Sequence, residues 1–345
     1  MKNIVVLGAG GFIGNSMVSY LRKQGHWGRG VDLKSPEFSL TEADEFVKGD
    51  LTDYNFCDSV ISTFVDEVYQ FAADMGGADY IFTEEHDADI MSNSARINLN
   101  VLDVMKRKSI KKVFYSSSAC IYPNERQNKK GSPALKEEFA YPANPDSEYG
   151  WEKLFSERLY LAYKKNHGFD VKIARFHNIY GPGGVFDGGK EKAPAAMCRK
   201  AIESDGIMEV YGDGKQRRSF LYIDDCINGV SKLMDSELSG PYNIGSEEDV
   251  SINELAKLAI KFSGKETKIK NIDVKQIGVR TRNSENSLVE KDLDWKPEYT
   301  LEEGLKNTFE WIRYNHDNGQ SDIYDNKGSL EWWNKWTETE ITTRY

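Results

Sequence analysis

The sequence predicts an α/β protein: a Rossmann-like, doubly wound parallel sheet with a smaller C-terminal α/β substrate lobe. Three observations predict it. The apolar run Ile4-Val5-Val6-Leu7 passes straight into Gly8-Ala9-Gly10-Gly11-Phe12-Ile13-Gly14. Short apolar strands then alternate with stretches of helical spacing as far as Phe176, and that alternation builds a parallel sheet with its site at the carboxyl ends of the strands. At 345 residues the chain also exceeds what one core usually organises.

The first strand, Ile4 to Leu7, suits a buried parallel position because it is apolar throughout. The next segment, to about Gln24, carries Ile13, Met17, Val18 and Leu21 at helical spacing. Between them, Gly8, Gly11 and Gly14 permit a tight turn and close passage of a pyrophosphate, with the helix N-terminus supplying amide donors. Phe12 and Ile13 open that helix, and Asp32 ends the following strand. An acid there takes the adenosine ribose hydroxyls and repels an extra phosphate, so the expected cofactor is NAD rather than NADP. Phe46 to Leu51 reads as a strand end, with Asp50 placed to accept from the adenine amine and Leu51 beside it. Glu67 to Phe71 is another strand, and the small residues from Ala72 onward let the cofactor pass closely.

A helix over 93–108 and a strand from Lys112 to Tyr115 lead into Ser116-Ser117-Ser118-Ala119-Cys120-Ile121-Tyr122-Pro123. Ser118 and Cys120 fall just past a strand end, where ligands collect. The plainer readings are a backbone cap for Ser118 and a small buried hydrophobe for Cys120. The helix that follows, to about His167, holds Tyr149 and Lys153 one turn apart on a shared face. An ammonium beside a phenol favours the phenolate. A tyrosine tuned this way exchanges a proton with an alcohol while a hydride moves to a cofactor.

After the strand Val171 to Phe176 and the loop from His177 through Asn178 to Gly184, regular alternation stops. The expected division is a dinucleotide-binding domain over 1–178, to which 217–240 returns, and a lobe over 179–216 and 241–345. The lobe holds the basic clusters: Lys190 and Lys192, Arg199 and Lys200, Lys215 to Arg218, then Arg280 and Arg282. Arginine forks and lysine point charges suit a diphosphate, against the alternative of ordinary solvated charge. Helical patterns follow at 252–262 and 301–314. The chain ends in Trp332-Trp333-Asn334-Lys335-Trp336 and a polar tail, with packing on the core or a dimer partner expected of the tryptophans.

The net charge of −10 argues against nucleic-acid or membrane-surface binding, because both need a broad basic face. Cys57, Cys120, Cys198 and Cys226 are scattered, with no metal spacing and too few for a disulfide scaffold, which fits a reducing cytoplasm. No run reaches membrane-spanning length, and the apolar start is too short for a signal peptide.

Gly8-x-x-Gly11-x-x-Gly14, Ser118 and Tyr149-x-x-x-Lys153 together resemble the extended short-chain dehydrogenase/reductase superfamily. Within it the chain is similar to the GDP-mannose 3,5-epimerase family. The similarity is carried by Ala72 to Gly77, Ser117 to Pro123, Arg175 to Pro182, Glu191-Lys192-Ala193-Pro194, Arg218-Ser219-Phe220 and Gly278-Val279-Arg280. The resemblance implies an isomerase with tightly bound NAD, a GDP-hexose substrate, a transient 4-keto sugar, and a homodimer formed through the helices over 93–108 and 150–166. It assigns Tyr149 as the base at C4 with Lys153 beside it, and Cys120 and Lys192 as the acid and base at C3 and C5. Thus it overturns the structural reading of Cys120. It further implies that Gly77, Ser118, Ala119, Asn178, Glu191, Lys192, Ala193, Lys200, Gln216, Arg218 and Arg280 hold sugar or diphosphate. Two stretches depart from the family: Ala78-Asp79-Tyr80 follows Gly77 in place of Met-Gly-Phe, and the tail from about Asn318 diverges. Alternatives are a 4-epimerase, a 3,5-epimerase of a GDP-heptose or other sugar, a 4,6-dehydratase, and a non-catalytic NAD-binding regulatory protein. A dehydratase calls for an Asp-Glu pair near Cys120, and the sequence has none there.

Overall fold

The computed structural model describes residues 1–76, 78–82, 84–128, 131–274 and 278–318. Gly77 and the Trp332–Trp336 cluster lie outside the described residues. The first half runs β1 (Asn3–Leu7), α1 (Phe12–Lys23), β2 (Trp27–Asp32), β3 (Glu45–Lys48), α2 (Tyr54–Val60), β4 (Glu67–Gln70), α3 (Ala78–Phe82), α4 (Asp87–Arg107) and β5 (Lys112–Ser118). Short 3-10 turns then lead to α5 (Glu148–His167) and β6 (Asp170–Phe176). The second half is built of shorter pieces. These are β7 (Ile179–Tyr180), α6 (Ala193–Glu203), β8 (Ile207–Tyr211), β9 (Arg217–Ser219), β10 (Leu221–Tyr222) and α7 (Ile223–Asp235), then β11 (Tyr242–Ile244) and β12 (Asp249–Ser251). The last are α8 (Ile252–Ser263), β13 (Lys268–Ile272), β14 (Thr281–Arg282), α9 (Ser287–Leu293) and α10 (Leu301–Asn318).

Seven parallel strands form the main sheet in the order β11-β6-β5-β4-β1-β2-β3. Both faces are covered, so β1 sends alternate residues into two different cores. Ile4 and Val6 join Met17, Phe114 and Cys226 on one face. Val5 and Leu7 join Val101, Tyr115 and Tyr160 on the other. This is why the strand reads as an unbroken apolar run and not as an alternating one. Winding reverses between β1 and β4, and that reversal opens the crevice where such sheets hold ligands.

Two boundaries differ from the sequence reading. Helix α4 starts at Asp87 and not near Asn93, because Asp87 and Asp89 in its first turn suit the positive end of the helix dipole. The strand returning to the main sheet is Tyr242–Ile244, just past the expected 217–240 segment. Residues 217–222 instead pair within small sheets, β12-β9-β14 and β10-β7, while α7 packs against α1 and β6. A three-residue strand leaves too short a pattern to read in advance.

Helix α5 owes its placement to its caps. The Ser147 hydroxyl accepts from the Gly150 amide at the N-terminus, and Gly168 takes the left-handed conformation (φ 65°) at the C-terminus. Tyr149 and Lys153 therefore sit in its first two turns.

Candidate active site

The glycine loop and the end of β4 meet at the reversal point. A Cβ on Gly8 would lie 2.6 Å from the Ala72 amide nitrogen, and one on Gly14 would lie 2.1 Å from the Gly8 carbonyl oxygen. No side chain fits either place, so the backbone there is bare and the start of α1 is free to face an anion. Asp32 closes β2; its carboxylate accepts from the amides of Gly10 at 2.9 Å and Lys34 at 3.1 Å. Burial outweighs those bonds and holds its pKa above the ordinary value. Ala72 donates its amide to Gln70 at 2.9 Å, which fixes the strand end beside the loop. Asp50 is exposed and accepts from the Thr52 amide, while Leu51 beside it is buried. Phe12 and Ile13 pack their side chains on the core and contribute only their place at the helix start. This bare cradle beside an acid at the end of β2 fits the pyrophosphate and ribose of NAD.

Past the end of β5, Ser118 caps a 3-10 turn: its hydroxyl accepts from the Cys120 amide at 3.2 Å and also reaches the Tyr149 phenol. Ala119, Cys120 and Tyr149 are buried. Gly150 brings the two elements together, because a Cβ there would lie 2.3 Å from the Cys120 carbonyl oxygen. Lys153 donates to the Ser116 carbonyl at 3.0 Å and lies 5.7 Å from the centre of the Tyr149 ring.

The electrostatics depart from the simple expectation for this pair. Burial, aided by the charge of Cys120, pushes the Tyr149 phenol far above its usual pKa, with Ser118 pulling the other way. Burial lowers the Lys153 ammonium as well. Desolvation disfavours both charged forms at once, so in the folded chain it overrides the lowering that spacing alone suggests.

Around the Cys120 sulfur the structure gathers Tyr149, Lys153, Lys192, Arg218 and Arg282, each of which feels its charge. Lys192 precedes α6 and is exposed. The surrounding protein lowers its ammonium, Cys120 opposes that, and Arg282 adds to it. The Arg218 guanidinium donates to the carbonyls of Arg217 and Val279. Burial and the facing Arg282 bring its pKa down to about 9. Gln216 is buried next to it in sequence, and its Oε1 has no partner among the described residues. Glu191 resembles it in one respect: one oxygen accepts from Arg199 at 2.8 Å and the other is buried without a partner among the described residues. Ala193 opens α6, and Asn178 adopts a left-handed φ of 48° while donating to the Ser219 carbonyl at 2.8 Å.

Other expected ligand residues are engaged elsewhere. Lys200 donates to the Glu209 carbonyl at 3.0 Å and lies over the Tyr211 ring. Nη1 of Arg280 donates to both carboxylate oxygens of Asp213, at 3.0 Å each. Arg199 and Arg217 are taken up by ion pairs with Glu191, Glu203, Asp249 and Glu254. Arg282, counted in the sequence among the basic residues that suit a diphosphate, is buried against the thiol instead. Arg282 donates to the Cys120 sulfur at 3.1 Å, to Gln127 at 2.6 Å, and to Asp146. Those partners lie 162, 155 and 136 residues away, so no local pattern announces them.

Residues 4–245 match the family model described as the NAD dependent epimerase/dehydratase family. The chain belongs to that family. Among its relatives, the GDP-mannose 3,5-epimerase of Arabidopsis thaliana is 43% identical over 312 residues, spanning 90% of this chain and 82% of the relative. GDP-mannose 3,5-epimerase 1 of Oryza sativa subsp. indica is also 43% identical, over 90% of this chain and 81% of its own. The expected resemblance is therefore borne out. Among solved structures, a UDP-glucose 4-epimerase of Thermotoga maritima shares the fold with a TM-score of 0.83 at 24% identity, covering 91% of this chain and 99% of its own. The UDP-glucose 4-epimerase of Thermus thermophilus, solved with NAD, superposes with a TM-score of 0.79 at 19% identity, covering 90% and 99%. As a member of this family the chain is an NAD-dependent epimerase-type enzyme with a doubly wound fold. No helix among its described residues is long and apolar enough to cross a membrane.

Proposed function

We propose that this enzyme epimerises a GDP-hexose at C3 and C5, with GDP-mannose as substrate and GDP-L-galactose as product. The observation that carries the reading is the buried Cys120, packed with Tyr149 and within electrostatic reach of both Lys153 and Lys192. A 4-epimerase needs only the tyrosine and the lysine. A thiol and a second amine around the same spot suit an enzyme that also moves protons on carbon.

Gly8, Gly11, Gly14 and Asp32 would hold NAD, with Ala72, Asp50 and Leu51 along its path. Bound there, it supplies the acceptor and later the donor of the C4 hydride. Tyr149 accepts the proton of the C4 hydroxyl, assisted by Ser118 and by the Lys153 ammonium behind its ring. A ketone at C4 makes the hydrogens on C3 and C5 acidic. Cys120 takes a proton from one face of each carbon and Lys192 delivers one to the other face, which inverts the centre. Arg218, half-buried, would meet the diphosphate with its guanidinium, and Gln216, Asn178, Glu191 and Ala193 would line the approach. Lys200 and Arg280 join the diphosphate by exchanging their present protein partners for it.

The test is incubation of the purified protein with GDP-mannose in heavy water, without added cofactor. Deuterium is expected at both C3 and C5 of the recovered sugar. Deuterium at neither carbon, in folded protein carrying NAD, would discard GDP-mannose as the substrate, and the same run with other GDP-sugars finds the right one.

A further inference from the structure

We propose that Arg282 is a positioning residue that holds the Cys120 sulfur as a thiolate, its own guanidinium fixed by Asp146 and Gln127. The inference rests on the proton-transfer role of Cys120 proposed above and names what readies that sulfur.

The geometry is a three-point clamp. Nη1 of Arg282 lies 3.1 Å from Sγ of Cys120, Nε lies 2.6 Å from Oε1 of Gln127, and Nη2 donates to Asp146. The side chains of Arg282 and Asp146 are 8% and 5% exposed, so water does not compete for these bonds. Gln127 is itself anchored, donating to the Tyr122 carbonyl at 2.8 Å. A guanidinium only donates and stays protonated at any working pH. Pointed at sulfur, it favours the form with the greater negative charge. Other charged groups surround the same thiol. Lys153 comes from α5, Lys192 from the start of α6, and Arg218 from β9. Tyr149, also from α5, faces the same thiol. Cations outnumber carboxylates there, yet Arg282 is the one with a hydrogen bond to the sulfur among the described residues.

The arrangement suits the proposed proton transfer. In the forward step a C–H bond beside the ketone breaks, an S–H bond forms, and the carbon electron pair moves onto the carbonyl oxygen as an enolate. On the opposite face an N–H bond of the Lys192 ammonium breaks as the new C–H bond forms, and the enolate pair returns to carbon. Solvent restores the thiolate and the ammonium, so nothing is oxidised or reduced. The thiolate must exist before the first of these steps, and Arg282 secures it.

The experiment follows alkylation of Cys120 by iodoacetamide in the NAD-loaded protein, site by site, across the neutral pH range. Cys57, Cys198 and Cys226 are 0% exposed, and a Cys120→Ala control removes any contribution from them. Arg282→Gln is expected to slow alkylation at pH 7 about tenfold, and to move the rate profile to higher pH. Arg282→Lys keeps a charge beside Asp146, and so keeps the fold if Arg282→Gln does not. It lacks the fork, and it is expected to react at a rate between the two. A wild-type rate and profile in either folded variant overturns the proposal. The readout needs no sugar. Failure of the heavy-water test with a slowed thiol would sink the substrate reading alone, whereas an unslowed thiol in an enzyme that washes in deuterium would sink only the role of Arg282.

Discussion

At the scale of single residues, two kinds of chemistry share one small volume, and substitution separates them. Lys153 is buried and donates to the Ser116 carbonyl. Lys153→Met keeps the bulk, removes the ammonium behind Tyr149, and is expected to abolish all turnover. Cys120→Ala is expected to leave hydride exchange at C4 intact while slowing deuterium wash-in at C3 and C5 by about 10²–10⁴, the usual weight of one general acid–base group. Mass spectrometry of the sugar distinguishes them, and wash-in at a near-normal rate in the cysteine variant refutes its role. His177 offers a test of stability. It is wholly buried, with Nε2 3.0 Å from Asn243 Oδ1, and burial chiefly, with Arg282 and Arg175, brings its pKa down to about 3. The unfolded value is 6.5, so between pH 6.5 and about 3 the unfolded chain binds the extra proton. This contribution to stability is complete above pH 6.5 and falls on acidification, by at most about 1.4 kcal/mol per pH unit. Urea midpoints measured through that window are expected to fall less steeply in His177→Gln than in the native chain. Equal slopes would show that other groups govern the acid limb.

At the scale of elements, the critical contact is that of α5 with the turn after β5. Gly150 has space for nothing larger, since an added Cβ would also come within 2.8 Å of Pro145 Cβ. Gly150→Ala is expected to cost about 1–3 kcal/mol, as overpacking does, and to lower turnover further by shifting Cys120 away from Tyr149. Thermal melts and rates on the same sample check both effects; an alanine variant with native melting and rate would mean the backbone yields freely. Much of this architecture was legible in the sequence. The glycine loop, Asp32 and the Tyr149–Lys153 spacing all act within one βα unit or one helical turn, where local periodicity reports directly on structure. The rest was not legible, because its partners are remote. The Arg282 clamp spans three distant segments, and β11 is only three residues long. Arg280 and Arg218 looked equivalent as loop arginines, yet one is held by Asp213 and the other faces a second guanidinium. Burial, which no local pattern reports, also outweighs the lowering expected of Lys153 on Tyr149.

At the scale of the whole molecule, α4 and α5 lie side by side on one face of the sheet and leave apolar groups outside. Met91 and Leu99 on α4 are 37% and 40% exposed, and Trp151 and Phe155, four apart on α5, are 38% and 49% exposed. Polar bonds tie the two helices beneath that surface, with Asn98 donating to Glu152 and Ser156. An apolar surface on a pair of rigid helices suits a second copy of the chain. A homodimer is expected in sedimentation at micromolar concentration, and Trp151→Glu with Phe155→Glu is expected to yield monomers that remain folded. A native chain that sediments as a monomer would refute the assembly.

Where Gly150 meets the Cys120 carbonyl, the phenol and the sulfur become parts of one rigid jaw. A hexose opened to exchange on either side of its ketone presents those two carbons in opposite directions, and a jaw of set span grips only one at a time. On the proposed chemistry, then, the sugar does the moving: it swivels on its diphosphate leash between one inversion and the next while the protein stands still.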